Sequence, residues 1–216
     1  MASVAASVKA LVRNAVYDRI PGVLRRGPAT QRRVALTFDD GPDHMTRRYL
    51  DLLDELGVPA TFFLCGNAAD AHPDLVREYL RRGHQIAGHG YDHQRFTVLG
   101  RRGLLDQCER TEQALGGQPT GRPWVRPPHG SLDASSLLTL LARGYTVAMW
   151  SLDACDYGDH DPESLADRCS AANVSPGEVL LFHEGQQWTL DALPKIVRSL
   201  HEAGYECVTM HDLFAT

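Results

Sequence analysis

The chain has 216 residues, of which 43% are hydrophobic and 23% are charged, a length and composition expected of one globular domain with a sizeable core. The formal net charge is -5, the isoelectric point is about 6.0, and basic residues cluster only in the short runs RRG and QRR. This balance disfavours nucleic acid and anionic membranes as main partners. We therefore expect a small or neutral ligand.

The N-terminal segment, residues 1–32, is predicted to contain a short amphipathic helix and a linker. Lys9, Arg13 and Asp18 interrupt the apolar stretch that a signal peptide would need, and no later stretch is apolar enough to span a membrane. The cysteines form no C-x-x-C pair, as expected of reduced thiols in a cytosolic chain. They are Cys65, Cys108, Cys155, Cys169 and Cys207. Together these features predict a cytoplasmic protein.

From residue 33 onward, helix-like runs that end in glycine alternate with apolar, strand-like runs. The helix-like runs keep their leucines at helical spacing and end before Gly57, Gly83, Gly144 and Gly204. The strand-like runs are VALTFDD, ATFFLCG, QIAGHG, WVRPP, YTVAMWSLD, EVLLFHEG and YECVTM. About seven strands that alternate with helices predict an α/β fold with a parallel sheet or barrel, in a single domain over residues 33–216.

Polar residues whose side chains can bind a metal or transfer a proton follow most of these strand-like runs. In a β/α barrel the carboxyl ends of the strands share one rim, so residues far apart in sequence can meet there. The candidates are Asp39, Asp40, His89, Arg126, Asp153 and His183. Each one alone is also typical of an ordinary loop, so the prediction depends on their meeting at one place.

The segment LTFDDGP ends an apolar run on two adjacent carboxylates and then turns at Gly41. Such a pair is unfavourable unless a cation or a proton transfer uses it, although Asp-Gly is also a common turn. His89 and His93 are four residues apart, a spacing that lets two imidazoles reach one ion. With a carboxylate they suit Zn²⁺ or a similar divalent ion. One aspartate would bind the ion and the other would act as a base, but the residue types do not decide which of Asp39 and Asp40 does which.

Three further segments offer groups that can assist hydrolysis. His183 can donate a proton to a leaving group if an acid fixes its tautomer. The planar guanidinium of Arg126 can hold a carboxylate in place, and Asp153 or Asp156 can orient either residue. Each of these residues also fits an ordinary ion pair or a surface loop.

In order along the chain, five segments resemble the motif set of the polysaccharide deacetylases, the NodB homology or carbohydrate esterase family 4 enzymes. They are TFDDG (37–41), HGYDH (89–93), RPPHG (126–130), DACDY (153–157) and LFH (181–183). The resemblance covers residues 33 to 214, and it implies a distorted (β/α)7 barrel of the NodB type. Five ordered matches are far less expected by chance than one.

The resemblance implies a metal centre and a base. By this match Asp40, His89 and His93 are the ligands of a divalent metal, most simply Zn²⁺, with Co²⁺, Ni²⁺ and Mn²⁺ as alternatives. Asp39 is the catalytic base, and Arg126 braces it.

The resemblance also implies an acid and a substrate groove. His183 is the general acid, and Asp156 is the partner that tunes it. The backbone N–H of His129 faces the oxyanion, Leu181 lines a pocket for the acetyl methyl group, and Tyr157 lines the groove. His129 stands where the family usually has an aromatic residue, and Tyr157 stands where it usually has tryptophan. Because both should line the substrate groove, these differences are expected to affect the choice of substrate more than the reaction.

We therefore expect a metal-dependent amidohydrolase that removes acetyl from an N-acetylated sugar or a related small molecule. The alternatives within this class are chitin oligosaccharides and peptidoglycan. From other classes, a non-catalytic carbohydrate-binding barrel would keep the fold without turnover, and a non-haem iron oxygenase would also use two histidines and an aspartate. Gly90 stands where the family usually has a hydroxyl residue, so a hydrogen bond that steadies the metal loop is expected to be missing.

Overall fold

The computed structural model describes residues 15–117 and 121–215 of the chain. Within these ranges the strands form one sheet in which every strand-to-strand pairing is parallel. The strands are β1 (Val23–Leu24), β2 (Arg33–Asp39), β3 (Thr61–Leu64), β4 (Gln85–Gly88), β5 (Trp124–Val125), β6 (Thr146–Ala148), β7 (Leu152–Asp153), β8 (Val179–His183) and β9 (Glu206–Val208).

Helices connect most of the consecutive strands, since parallel neighbours need such crossover connections. They are α1 (Thr46–Leu56), α2 (Gly66–Ala71), α3 (Pro73–Arg81), α4 (Arg101–Ala114), α5 (Ala134–Ala142), α6 (Pro162–Arg168), α7 (Gln187–Glu202) and α8 (Met210–Phe214), with short 3₁₀ turns at Phe96–Val98 and Pro128–Gly130. None of the helices in the described ranges is long and apolar enough to cross a membrane.

The sheet curls on itself. Its strand order is β1-β6-β5-β4-β3-β2-β8-β7, with β9 pairing β2 beside this path. Only residues 149–151 separate β6 from β7, yet these two strands lie near opposite ends of that order. The ends of the sheet must therefore approach each other, and the predicted distorted β/α barrel is confirmed.

The central strands are mostly apolar because helices or the barrel interior cover both faces. All four residues of β3 are buried, as are Val34 to Asp39 of β2. The largest core cluster stacks Phe38 of β2 between Phe62 and Phe182, with ring centroids 5.1 and 5.5 Å apart. This packing fixes the three central strands on which the site is built.

The predicted helix ends are confirmed. Gly57, directly after α1, has φ of 67° and donates its backbone N–H to carbonyls of the last turn. Gly83, Gly144 and Gly204 likewise have positive φ, near 80°. Glycine adopts this conformation without the steric penalty of a Cβ atom, so it ends each helix and turns the chain toward the next strand.

Two features differ from the sequence-based picture. The run YTVAMWSLD was expected to be one strand, but it contains β6 and β7, because the chain leaves one end of the curled sheet and joins the other. The N-terminal segment already enters the sheet at Val23–Leu24, which pairs with β6. The domain boundary between residues 32 and 33 stays a prediction, and most of the expected N-terminal helix lies outside the described residues.

Candidate active site

The strand ends bring the candidate residues to one rim of the sheet. Asp39, Asp153 and His183 are the last residues of β2, β7 and β8, while His89 and Arg126 directly follow β4 and β5. Because all these strands run parallel, their carboxyl ends point the same way. A cleft of about 470 Å³ opens at this rim, a volume within the usual range of small-molecule sites.

Three ligand atoms converge in the cleft. Asp40 Oδ1 lies 3.1 Å from His93 Nε2 and 3.5 Å from His89 Nε2, and all three atoms lie within 4.8 Å of one another. Ligand atoms that share a tetrahedral zinc ion at its usual bond lengths are about 3.3 Å apart. The spacing therefore fits one divalent cation at the centre of the cluster.

Two of these ligand residues adopt an unusual backbone conformation. Asp40 has φ of 79° and His93 has φ of 62°, a left-handed region that residues with a Cβ rarely occupy. Such conformations persist only where the surrounding structure holds them, and they are common at functional sites. Asp40 directly follows β2, and its left-handed backbone lets the two adjacent aspartates point into the same cleft instead of to opposite faces.

Hydrogen bonds and burial prepare the imidazole of His89 for metal binding. His89 Nδ1 lies 2.9 Å from the carbonyl oxygen of Arg126, which can only accept, so Nδ1 carries the hydrogen and Nε2 presents its lone pair to the cluster. Burial lowers the pKa of His89 and favours the neutral ring, although Asp39 and Asp40 oppose this effect. The buried ring is thus held in the tautomer that a cation needs.

Asp40 and His93 share a hydrogen bond that a cation would replace. Burial alone would raise the pKa of Asp40, but the hydrogen bond with His93 and the nearby imidazoles lower it to about 2. The same hydrogen bond raises the pKa of His93, although burial opposes it. The cluster therefore offers one carboxylate and two imidazoles, the donor set expected for Zn²⁺ or a similar ion.

Arg126 lies beneath Asp39 and fixes its orientation. Its Nη1 donates to Asp39 Oδ1 at 2.7 Å and to Thr37 Oγ1 at 2.9 Å, and its guanidinium lies 3.8 Å from the centre of the Phe63 ring. Arg126 is fully buried and Asp39 is 3% exposed. Asp39 Oδ2 is left facing His89 Nε2 at 3.5 Å, so one carboxylate oxygen is bound by the arginine and the other faces the metal ligands.

On the other side of the cleft, Asp156 holds His183. His183 Nδ1 lies 2.7 Å from Asp156 Oδ1, and the backbone N–H of His183 donates to Asp156 Oδ2 at 2.8 Å. Burial lowers the pKa of His183, but the hydrogen bond to Asp156 and the charges of Asp39 and Asp156 raise it to about 9. His183 therefore carries a proton at neutral pH, with Nδ1 committed to Asp156 and Nε2 available to the cleft.

The sequence did not reveal how Asp156 itself is held. Thr189 Oγ1 donates to Asp156 Oδ2 at 2.8 Å, and Trp188 Nε1 donates to the carbonyl oxygen of Asp156 at 2.7 Å. Both residues lie in α7, where a threonine and a tryptophan carry no recognisable motif. Asp153 Oδ1 accepts from the backbone N–H of Cys155 at 2.8 Å. Burial lowers the pKa of Arg126, and the charge of Asp153 is among those that oppose this effect.

The predicted groove residues line the same cleft. The His129 ring lies 4.3 Å from that of His93, the Tyr157 ring stands edge-on to His183 at 5.7 Å, and Leu181 is 3% exposed. Further residues that line the cleft were not predicted. They are Arg95, Gly130, Trp150 and Gln186.

Known proteins resemble the chain in sequence and in fold. The family model described as polysaccharide deacetylase matches residues 26–148, more than half of the chain. The chain belongs to the polysaccharide deacetylase family. Members of the family have the distorted barrel that the five sequence motifs implied.

Two curated relatives of the family are about one-third identical to the chain. A peptidoglycan-N-acetylglucosamine deacetylase of Bacillus cereus is 33% identical over 196 residues, which cover 88% of this chain and 71% of that protein. A chitooligosaccharide deacetylase of Rhizobium leguminosarum bv. trifolii is 33% identical over 193 residues, which cover 81% of this chain and 88% of that protein. Some relatives are much longer, and the chain covers 39% of the peptidoglycan-N-acetylglucosamine deacetylase PgdA of Listeria monocytogenes at 31% identity.

A solved structure of the family superposes on the chain with a TM-score of 0.83 at 31% identity. It is a peptidoglycan N-acetylglucosamine deacetylase in complex with 4-naphthalen-1-yl-N-oxidanyl-benzamide, and the match covers 89% of this chain and 92% of that one. The fold seen here is therefore the fold of a polysaccharide deacetylase.

Proposed function

We propose that the chain is a metal-dependent deacetylase that hydrolyses the acetamide of an N-acetylated saccharide. The observation that carries this proposal is the meeting of a braced carboxylate and a hydrogen-bonded imidazole at one metal-ligand cluster. Asp39 is a carboxylate braced by Arg126 at 2.7 Å, and His183 is an imidazole whose pKa is raised to about 9. A base and an acid on either side of one cleft are what amide hydrolysis requires.

Asp40, His89 and His93 would hold the cation, for which we propose Zn²⁺. When bound, it supplies Lewis acidity that makes water a stronger acid and polarises a carbonyl oxygen. Asp39 Oδ2, which the arginine leaves free, accepts the proton of the attacking water.

Other cleft residues complete the reaction. His183 donates its Nε2 proton to the departing nitrogen, so the product leaves as an amine rather than as an unstable anion. We assign the backbone N–H of His129 to the developing oxyanion and the apolar side chain of Leu181 to the acetyl methyl group.

The substrate we propose is a saccharide that contains N-acetylglucosamine. The relatives named above act on peptidoglycan or on chitooligosaccharides by their names, and the chain shares their family and fold. The cleft is open to solvent, and the exposed ring of Tyr157 beside His183 gives a sugar an aromatic surface to pack on. A small N-acetylated metabolite, the smaller substrate expected from the sequence, would use the same acid and base.

Acetate release measures this function directly. The metal-loaded protein is incubated with N-acetylglucosamine, chitooligosaccharides of increasing length and soluble peptidoglycan fragments, and acetate and product masses are measured. We expect a mass loss equal to replacement of acetyl by hydrogen. Asp39→Asn should lose turnover while keeping its metal, and near-normal rates in that variant would show that Asp39 is not the base.

Two other functions predict results that differ from acetate release. A non-catalytic carbohydrate-binding barrel would bind the oligosaccharides at saturating Zn²⁺ or Co²⁺ without releasing acetate. An oxygenase would instead consume oxygen with Fe(II) and a 2-oxoacid, but such sites usually lie on β-sandwich barrels, whereas this site lies on a parallel sheet with connecting helices. A cytoplasmic location is also proposed, and cell fractionation tests it.

A further inference from the structure

The loop that joins two of the metal ligands passes close to its neighbours. Residues 90–92 connect His89 to His93, and Gly90 within this loop has φ of 74°. A Cβ atom on Gly90 would lie 3.2 Å from Pro128 Cγ and 3.3 Å from Phe96 Cε1. A side chain at this position would be both strained and crowded. Because Gly90 has no side chain to brace the loop, groups outside the loop must hold it.

The carbonyl groups of the loop are held from one side. The backbone N–H of Gly66 donates to the Gly90 carbonyl at 2.9 Å, and the N–H of Asn67 donates to the Tyr91 carbonyl at 2.8 Å. Both donors lie at the beginning of α2, whose first N–H groups have no partner within the helix. These bonds leave the N–H groups of the loop to be satisfied by another element.

A single side chain accepts from two of those N–H groups. Gln107, in α4, places its Oε1 2.7 Å from the backbone N of Tyr91 and 3.1 Å from the backbone N of Asp92. Gln107 is 5% exposed, and a buried amide oxygen with two lone pairs is fully used by two donors. The loop is thus clamped between α2 and one glutamine of α4.

We propose that Gln107 is the positioning residue of the metal centre. Its amide oxygen fixes the two residues before His93, so that His93 keeps φ of 62° and points Nε2 at Asp40 Oδ1, 3.1 Å away. Gln107 touches neither the cation nor the substrate. This inference rests on the metal site of the proposed function. It assigns to Gln107 the bracing that a hydroxyl residue usually supplies in the family at the place of Gly90.

Gln107 acts by orienting His93. His93 occupies a backbone region that costs free energy, and it stays there only while its neighbours are held. Without an acceptor, the N–H groups of Tyr91 and Asp92 would turn toward water, and His93 would relax with them. Partners that orient metal ligands typically change metal affinity about 10- to 100-fold when they are lost.

Three variants separate this role from ordinary packing. Gln107→Met keeps the length of the side chain but removes the acceptor, Gln107→Glu keeps an acceptor oxygen, and Gln113→Met changes an exposed glutamine of the same helix. The dissociation constant for Zn²⁺ is measured by competition with a chromophoric chelator, and the thermal midpoint is measured on the metal-free protein.

We expect Gln107→Met to bind Zn²⁺ about 10- to 100-fold more weakly, while Gln107→Glu and Gln113→Met stay within about threefold of the unaltered protein. Affinity within about threefold in Gln107→Met, or an equal loss in Gln107→Met and Gln107→Glu, would overturn the proposal. A role in packing alone would lower the thermal midpoint without weakening the binding of Zn²⁺.

Amide exchange in the unaltered protein keeps the test decisive if Gln107→Met does not fold. The N–H groups of Tyr91 and Asp92 should exchange slowly with deuterium in the metal-free protein, and exchange as fast as in an exposed loop would contradict the proposal. No substrate is needed in any of these measurements. A protein that binds Zn²⁺ through this brace but releases no acetate would therefore contradict the proposed function and leave the inference standing.

Discussion

The proton on His183 depends on Asp156, and the variant Asp156→Asn tests this dependence. Burial lowers the pKa of His183, but the hydrogen bond to Asp156, together with the charges of Asp39, Asp156 and Asp40, raises it to about 9. Asp156 is fully buried, so solvent screens its interaction with the imidazole only weakly. Asparagine has nearly the same shape and removes the charge.

The size of the effect follows from this contact. A hydrogen bond to a charged group is worth about 1.5–3 kcal/mol, which corresponds to about 1–2 pKa units at about 1.4 kcal/mol per unit. Loss of this hydrogen bond in Asp156→Asn should therefore lower the pKa of His183 by about 1–2 units. At a pH above both pKa values, the protonated fraction would fall about 10- to 100-fold.

The assay is the pH profile of kcat/KM for acetate release, measured from about pH 6 to about pH 10. A general acid must be protonated, so activity falls as the pH rises through its pKa, and this alkaline limb should move to lower pH in Asp156→Asn. Asp153→Asn is the matched control, because Asp153 belongs to the same segment but its Oδ1 accepts from the Cys155 N–H instead. An unchanged limb in Asp156→Asn, or an equal shift in Asp153→Asn, would refute the reasoning.

Three further predictions concern the arginine beneath Asp39, the turn after Asp40 and the metal ligands. Arg126→Leu leaves the Asp39 carboxylate buried without its cation, so the free energy of unfolding in urea should fall by about 3–5 kcal/mol, and a loss below about 1 kcal/mol would contradict the pairing. Gly41→Ala would place a Cβ 1.6 Å from Glu184 Oε2, whereas a Cβ at Gly158 meets nothing within 4 Å. The free energy of unfolding in urea should therefore fall by about 1–3 kcal/mol in Gly41→Ala and stay unchanged in Gly158→Ala. His93→Ala should lose both bound metal, measured by mass spectrometry, and acetate release, whereas His201→Ala on the exposed face of α7 should keep both.

The parts of the fold that the sequence predicted are those encoded locally. Continuous apolar runs mark strands that are buried on both faces, and glycines mark the helix ends because only they adopt a positive φ without strain. The break between β6 and β7 has no such local cause. It arises because the chain must cross between the two ends of a curled sheet, and periodicity in one segment does not report that curvature.

The candidate site likewise contains residues that the sequence alone reveals and residues whose role depends on the fold. Asp39, Asp40, His89 and His93 stand out because their residue types and spacing suit a cation and a base, and the structure brings them together at one rim. Thr189 and Gln107 do not stand out, since each acts through a hydrogen bond to a residue distant in the chain. Their roles follow from how α7 and α4 pack on the sheet, and a single sequence does not display that packing.

We predict that one cation lies between Asp40, His89 and His93, beside Asp39. Anomalous X-ray diffraction at the zinc edge, from crystals grown with Zn²⁺, tests it most directly. We predict one strong anomalous peak at bonding distance, about 2.0–2.2 Å, from Asp40 Oδ1 and from the Nε2 atoms of both histidines. A cleft with no anomalous peak at saturating Zn²⁺, or a peak bound by other residues, would contradict the account.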